Sequence, residues 1–137
     1  MHEVGHTLAL IHNFIASYQY GPNEIHDVSV TGGSTTSSVM DYDPINIAPP
    51  GIEQGKYFSV APGDYDIWAI EFGYKPELEG EEREKHLAKS IEQKYLWHWE
   101  DIDPRFATWD LSNDPIAYAK GRFEVVDNKI SELGEIF

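Results

Sequence analysis

The chain has 137 residues, enough for one domain with a moderate core, and its 41% hydrophobic content with four Trp, eight Tyr and six Phe marks a globular rather than a disordered composition. Ten basic residues against 24 acidic ones leave a net charge of -14, which argues against a nucleic-acid or anionic-membrane surface, since both need clustered Lys and Arg. There is no cysteine and therefore no disulfide or thiolate ligand, and no apolar run reaches the roughly 20 residues that cross a bilayer.

The first element is MHEVGHTLALIHNF, residues 1–14. A helix running to about residue 9 or a little beyond puts His2 and His6, four residues apart, on one face a turn from each other, an imidazole clamp of the kind zinc accepts. His12 is the candidate third ligand. On an uninterrupted helix it would sit about 9 Å further along the axis and on another face, so sharing a metal with His2 and His6 requires the chain to turn near residue 9. Glu3 follows the first ligand directly, which sets its carboxylate beside the metal's open position as a general base. The competing reading is two histidines on an amphipathic helix, with Val4, Leu8 and Ile11 as its apolar stripe. A chance HExxH arises in about 3 of 100 chains of this composition, and a third His at a fixed later position lowers that to about 1 in 1000.

Residues 13–20 do not decide between helix and extended chain, and Gly21-Pro22-Asn23 breaks whatever they form. A loop spans 21–37, in which Val28 and Val30 alternate with polar residues as a short strand does. His26 reads as a surface loop histidine, with a fourth-ligand or ligand-orienting role as its alternative. Ser38-Val39-Met40-Asp41-Tyr42 follows a Gly/Ser/Thr stretch and precedes Pro44.

Together these two stretches resemble the metzincin metalloproteases, whose signature is HExxHxxGxxH with a later methionine-containing turn. The match runs His2-Glu3-Val4-Gly5-His6-Thr7-Leu8-Ala9-Leu10-Ile11-His12. Ala9 departs from the family's glycine, which permits the left-handed turn that ends the helix; alanine in that conformation costs about 1 kcal/mol. The resemblance implies zinc held by His2, His6 and His12, Met40 as an apolar floor beneath them, and Tyr42 as a zinc ligand or a donor to the oxyanion. HEVGHTL, the HNF after it and SVMDY look closest to a group of large bacterial zinc-dependent metalloproteases, which implies a secreted or periplasmic parent; GDYDIWAIEFGY and DPR fit that group too. It further implies that residues 1–45 carry the active-site helix and Met-turn, that 46–137 form a helical C-terminal subdomain, and that an upstream sheet subdomain is a partner.

Residues 43–63 hold four prolines and three glycines and are expected to be irregular. A helix capped near Asp64 follows, burying Ile67, Trp68, Ile70 and Phe72 and ending at Gly73. The next spans 77–99, with Leu87, Ile91, Tyr95 and His98 on one face. Asp101, Asp103, Asp110 and Asp114 suit turns and caps; calcium is their sharper alternative, without EF-hand spacing. The last helix, capped by Asn113 or Asp114 with Pro115 in its first turn, carries Ile116, Ala119, Phe123, Val126, Ile130 and Leu133 at spacings of 3 and 4, a stripe expected to pack on the domain; a coiled-coil dimer is its alternative.

The expected fold is therefore mainly α, the helical C-terminal part of a metzincin-like α+β catalytic domain, with long loops and little strand. The expected function is zinc-dependent hydrolysis of peptide or protein substrates, with neither nucleic acid nor membrane as a partner. The alternatives are a zinc-binding but catalytically silent module without its substrate-holding sheet, and a helical fragment that self-associates.

Overall fold

Every regular element is helical among residues 1–93, 95–97 and 105–135, the ones described by the computed structural model. In chain order they are α1 (His2–Thr7), 3-10 turns at Ala16–Gln19 and Glu24–His26, α2 (Val28–Thr31), α3 (Asp64–Tyr74), α4 (Gly80–Glu92) and α5 (Pro115–Gly134). No helix of the described residues is long and apolar enough to cross a membrane.

The centre of the fold is polar. Thr35, Thr36, Ser37 and Ser38 are buried, and their hydroxyls are spent internally: Ser34 Oγ donates to the Thr36 carbonyl and Thr36 Oγ1 to that of Ser38, both at 2.7 Å. Short side chains that bond their own backbone can be buried without leaving unpaired groups. This segment links the chain's layers, with Ser37 N–H bonded to Ala16 O and Tyr65 N–H to Ser37 O. Gly63 lies so close that a Cβ there would overlap the Ser37 backbone. A small apolar cluster of Tyr20, Ile25 and Leu111, with Tyr118 of α5 against it, completes the interior.

Asp66 ties α3 to the segment carrying Met40. One of its carboxylate oxygens accepts from Ser38 Oγ at 2.6 Å; the other accepts from Val39 N–H at 2.8 Å and from Gly63 N–H, the residue preceding the helix, at 2.9 Å. The helix start is thus capped from its third residue rather than by Asp64, and it ends at Tyr74 rather than Gly73. Of the side chains expected to be buried, Ile67 is exposed and Trp68, Ile70 and Phe72 are half-buried, while Tyr65 and Asp66 are the buried pair.

α4 docks on α3 through a face other than the expected one. Leu87 is exposed and Ile91 fully so at 81%, whereas His86 is buried, its ring stacked on Trp68 at 5.6 Å and 4°. Trp68 Nε1–H donates to the His86 carbonyl and His86 Nε2–H to that of Trp68, each at 2.9 Å, and Arg83 sits 4.2 Å over the Phe72 ring. The reason is the aromatic row Tyr65, Trp68 and Phe72 on α3, which takes planar groups in preference to branched aliphatic ones. His98, Asp101 and Asp103 lie outside the described residues.

Two further expectations are corrected. Val28 and Val30 form a helical turn, not a strand, because the Asp27 carboxylate accepts from Ser29 N–H at 2.8 Å at one end and Gly32, at φ 61°, ends it at the other; both valines are exposed. α5 begins as expected, with Asp114 accepting from Ala117 N–H at 2.9 Å and Pro115 first in the helix. Its apolar stripe does not pack, however: Ile116, Phe123, Val126, Ile130 and Leu133 are exposed and Val125 is the buried residue. The helix is oriented by Tyr118 joining the core and by Gly121, where a Cβ would sit 3.0 Å from Pro49 Cγ.

Candidate metal centre

α1 ends where three histidines require it to. Leu10 N–H bonds to Gly5 O at 3.0 Å and Ala9 N–H to His6 O at 3.1 Å, the paired closure of a Schellman motif, with Ala9 at φ 62°. Alanine therefore adopts the left-handed turn that glycine favours. Replacing Ala9 by glycine removes the Cβ strain but adds unfolded-chain freedom, and is expected to raise stability by up to about 1 kcal/mol; thermal unfolding of the two proteins measures it, and a lower midpoint for Ala9→Gly would contradict the strain argument.

The reversal brings His12 back over α1. Ring centroids lie 4.8 Å apart for His2 and His6, 4.9 Å for His6 and His12 and 5.3 Å for His2 and His12. One ligand nitrogen from each falls within 4.8 Å of the others. His2 Nδ1 lies 2.7 Å from Val39 O and His6 Nδ1 3.0 Å from Leu10 O. A carbonyl can only accept, so both rings carry their proton on Nδ1 and keep the Nε2 lone pair for a metal. His2 Nε2 is buried with no hydrogen-bond partner among the described residues. Burial, then the neighbouring His6 and His2, push the His12 imidazole below its ordinary pKa, which favours its neutral, ligating form. This donor set fits zinc: three neutral imidazoles with room for a fourth ligand.

Met40, at 0% exposure, packs beneath α1. A Cβ on Gly5 would overlap Met40 Sδ and stand 3.5 Å from its Cε, and Met40 O accepts from Asn13 N–H at 3.0 Å, which pins the residue after His12. Gly5 had no assigned role in the sequence; a glycine between two histidines of one helix was the available signal, since glycine costs about 1 kcal/mol there relative to alanine. Gly5→Ala is expected to destabilise the chain by about 1–3 kcal/mol through overpacking and to weaken zinc retention. Chemical denaturation and metal analysis of that variant test this, and unchanged values in both would show that Met40 does not support the site.

Tyr42 stacks on His2 at 4.9 Å and 19°, and its Oη lies 2.9 Å from His12 Nε2. Glu3 and Tyr42 line one cleft of about 370 Å³ with Phe58, Ser59 and Trp109. Trp109, unremarked in the sequence, is exposed at φ 68°, stacks over Tyr42 at 6.2 Å, and donates its N–H to Tyr42 O at 2.8 Å. Asp41 between Met40 and Tyr42 accepts from Ser17 N–H at 2.9 Å and Tyr42 N–H at 2.7 Å, yet burial outweighs both donors and pushes its carboxyl up to about 8.

A family model described as Met-zincin matches residues 1–136. The chain belongs to the Met-zincin family. No curated protein and no solved structure matches it. Membership relates this Met-zincin to the zinc metalloproteases, and the three histidines are the group among its described residues whose geometry could hold a metal ion. His26 stands apart from them; it is buried rather than on the surface, at the end of the Glu24–His26 turn. Burial pushes the carboxyl of Asp110 up, and Asp114 caps α5.

Proposed function

We propose that this chain carries the catalytic centre of a zinc-dependent metallopeptidase, with His2, His6 and His12 as ligands, Glu3 as general base and Tyr42 as the donor to the oxyanion. The observation that carries the reading is the convergence of three imidazole nitrogens within 4.8 Å, two of them oriented by backbone carbonyls. When bound, zinc lowers the pKa of a coordinated water and polarises the scissile carbonyl. Glu3 lines the cleft beside His2, takes the proton of the attacking water and delivers it to the leaving amine nitrogen. Tyr42 Oη, released from His12 Nε2, donates to the carbonyl oxygen as negative charge develops there. Met40 and Gly5 hold α1 so that His2 and His6 keep their spacing.

A second reading, a zinc-binding but catalytically silent module, is favoured by one observation. Val4 on the site helix and Ile11 just past the turn that ends it are 59% and 50% exposed, an apolar surface suited to the sheet subdomain that supplies substrate-holding strands in metzincins. Denatured casein incubated with the zinc-loaded chain, with and without a chelator, separates the two. The peptidase reading expects cleavage that stops on chelation and returns with added zinc; zinc binding without cleavage supports the silent module.

A further inference from the structure

α5 turns Tyr118 and Val125 toward the domain and leaves another face bare. On that face Ile116, Ala119, Phe123, Val126, Ile130 and Leu133 follow one another at spacings of 3, 4, 3, 4 and 3, and all six are exposed, Phe123 at 70%. The pattern is the apolar seam of a two-stranded coiled coil, carried over a helix about 30 Å long.

The charges of α5 set it apart from the rest of the chain. Its basic residues Lys120, Arg122 and Lys129 balance its acidic residues Glu124, Asp127 and Glu132, in a chain of net charge -14. Two copies can therefore meet along α5 without bringing the acidic excess into the seam. The placement of these charges also selects an orientation. Lys120 and Asp127 stand seven residues apart on one edge of the stripe, both exposed and neither in an ion pair among the described residues. In an antiparallel pair, Ile116 meets Leu133 of the second copy, Ala119 meets Ile130 and Phe123 meets Val126. Lys120 of each copy then faces Asp127 of the other, twice by symmetry. A parallel pair would instead need Arg122 against Asp127, and Arg122 is half-buried with its Nη1 inside the chain. On that second edge Lys129 is already bonded to Glu132 at 2.8 Å.

We propose that α5 is a self-recognition surface through which two copies of this chain pair antiparallel about a two-fold axis. The seam is shorter than the three to four heptads that hold a coiled coil unaided, so the dimer forms at micromolar rather than nanomolar concentration. No residue of α5 lines the cleft of Glu3 and Tyr42, so pairing leaves both clefts open.

The test is sedimentation velocity of the full chain over a micromolar-to-millimolar concentration series, where the mass is expected to rise from 15.6 kDa toward twice that value. Phe123→Glu puts a charge at the centre of the seam on an exposed side chain and is expected to keep the protein monomeric with an unchanged circular dichroism spectrum. Lys120→Glu sets like charges opposite each other and is expected to weaken the dimer about tenfold. Adding Asp127→Lys to it restores the pairs and the affinity, a rescue that only the antiparallel register predicts. A monomer at every concentration overturns the proposal and leaves the stripe to a different occupant. A dimer that survives Phe123→Glu overturns it by placing the interface elsewhere. Absence of rescue by the double exchange overturns the antiparallel pairing, and that result is readable whether or not Phe123→Glu folds.

Discussion

His6→Ala is expected to reduce bound zinc from about one ion per chain to almost none after dialysis at neutral pH. His6 stands at the middle of the cluster, within 4.9 Å ring to ring of both other histidines, and its Nδ1–H bond to Leu10 O ties the ligand to the turn that reverses the chain. Losing an outer partner of a metal ligand commonly costs about 10–100-fold in affinity, and losing the ligand itself costs more. Two imidazoles would remain, and a zinc ion held by two protein ligands exchanges readily. The measurement is metal analysis beside a circular dichroism spectrum, because α1 is only His2–Thr7 and alanine at position 6 favours helix. Zinc retained at one per chain in a folded His6→Ala protein would mean that the metal sits elsewhere. Acid should release zinc from the unaltered chain, since protonation removes the imidazole lone pairs, and the depressed pKa of His12 delays its loss on the way down.

The clustering of the three histidines was readable because their spacings constrain how the chain must turn. A spacing of four from His2 to His6 fixes a common helix face, and the impossibility of reaching His12 along the same helix required a turn near residue 9, where Ala9 stands at φ 62°. The helical class was readable too, from periodicity in α4 and α5 and from the Asp114-Pro115 start of the latter. Which face a helix buries was not. Spacings of 3 and 4 define a stripe but carry no information on what covers it, so the α5 stripe stands exposed while Tyr118 and Val125 turn inward. In α4 the same logic picked Leu87 and Ile91, and the neighbour's aromatic row selected His86 instead. The polar centre was hidden for a related reason. STTSS has the composition of a surface loop, and its burial depends on Asp66, Ala16 and Gly63, residues distant in sequence whose bonds no local pattern announces.

Glu3→Gln is expected to lower peptide hydrolysis by about 10²–10⁴-fold while leaving zinc at one per chain. Glutamine keeps the length and the hydrogen-bonding oxygen of Glu3 but cannot accept a proton, so the change removes the base and little else. The position supports that separation: Glu3 is exposed, lines the cleft with Tyr42, and is not among the clustered ligand nitrogens. His2, beside it, takes its orientation from Val39 O rather than from Glu3, so ligand geometry should survive. Steady-state cleavage of a fluorogenic peptide, with metal analysis on the same preparation, distinguishes three cases. Loss of turnover with zinc intact identifies the proton acceptor. Joint loss of turnover and zinc would give Glu3 a place in holding the metal. Unaltered turnover with zinc bound would move the base to another group lining the same cleft, where Asp41 and Asp43 are the other carboxylates.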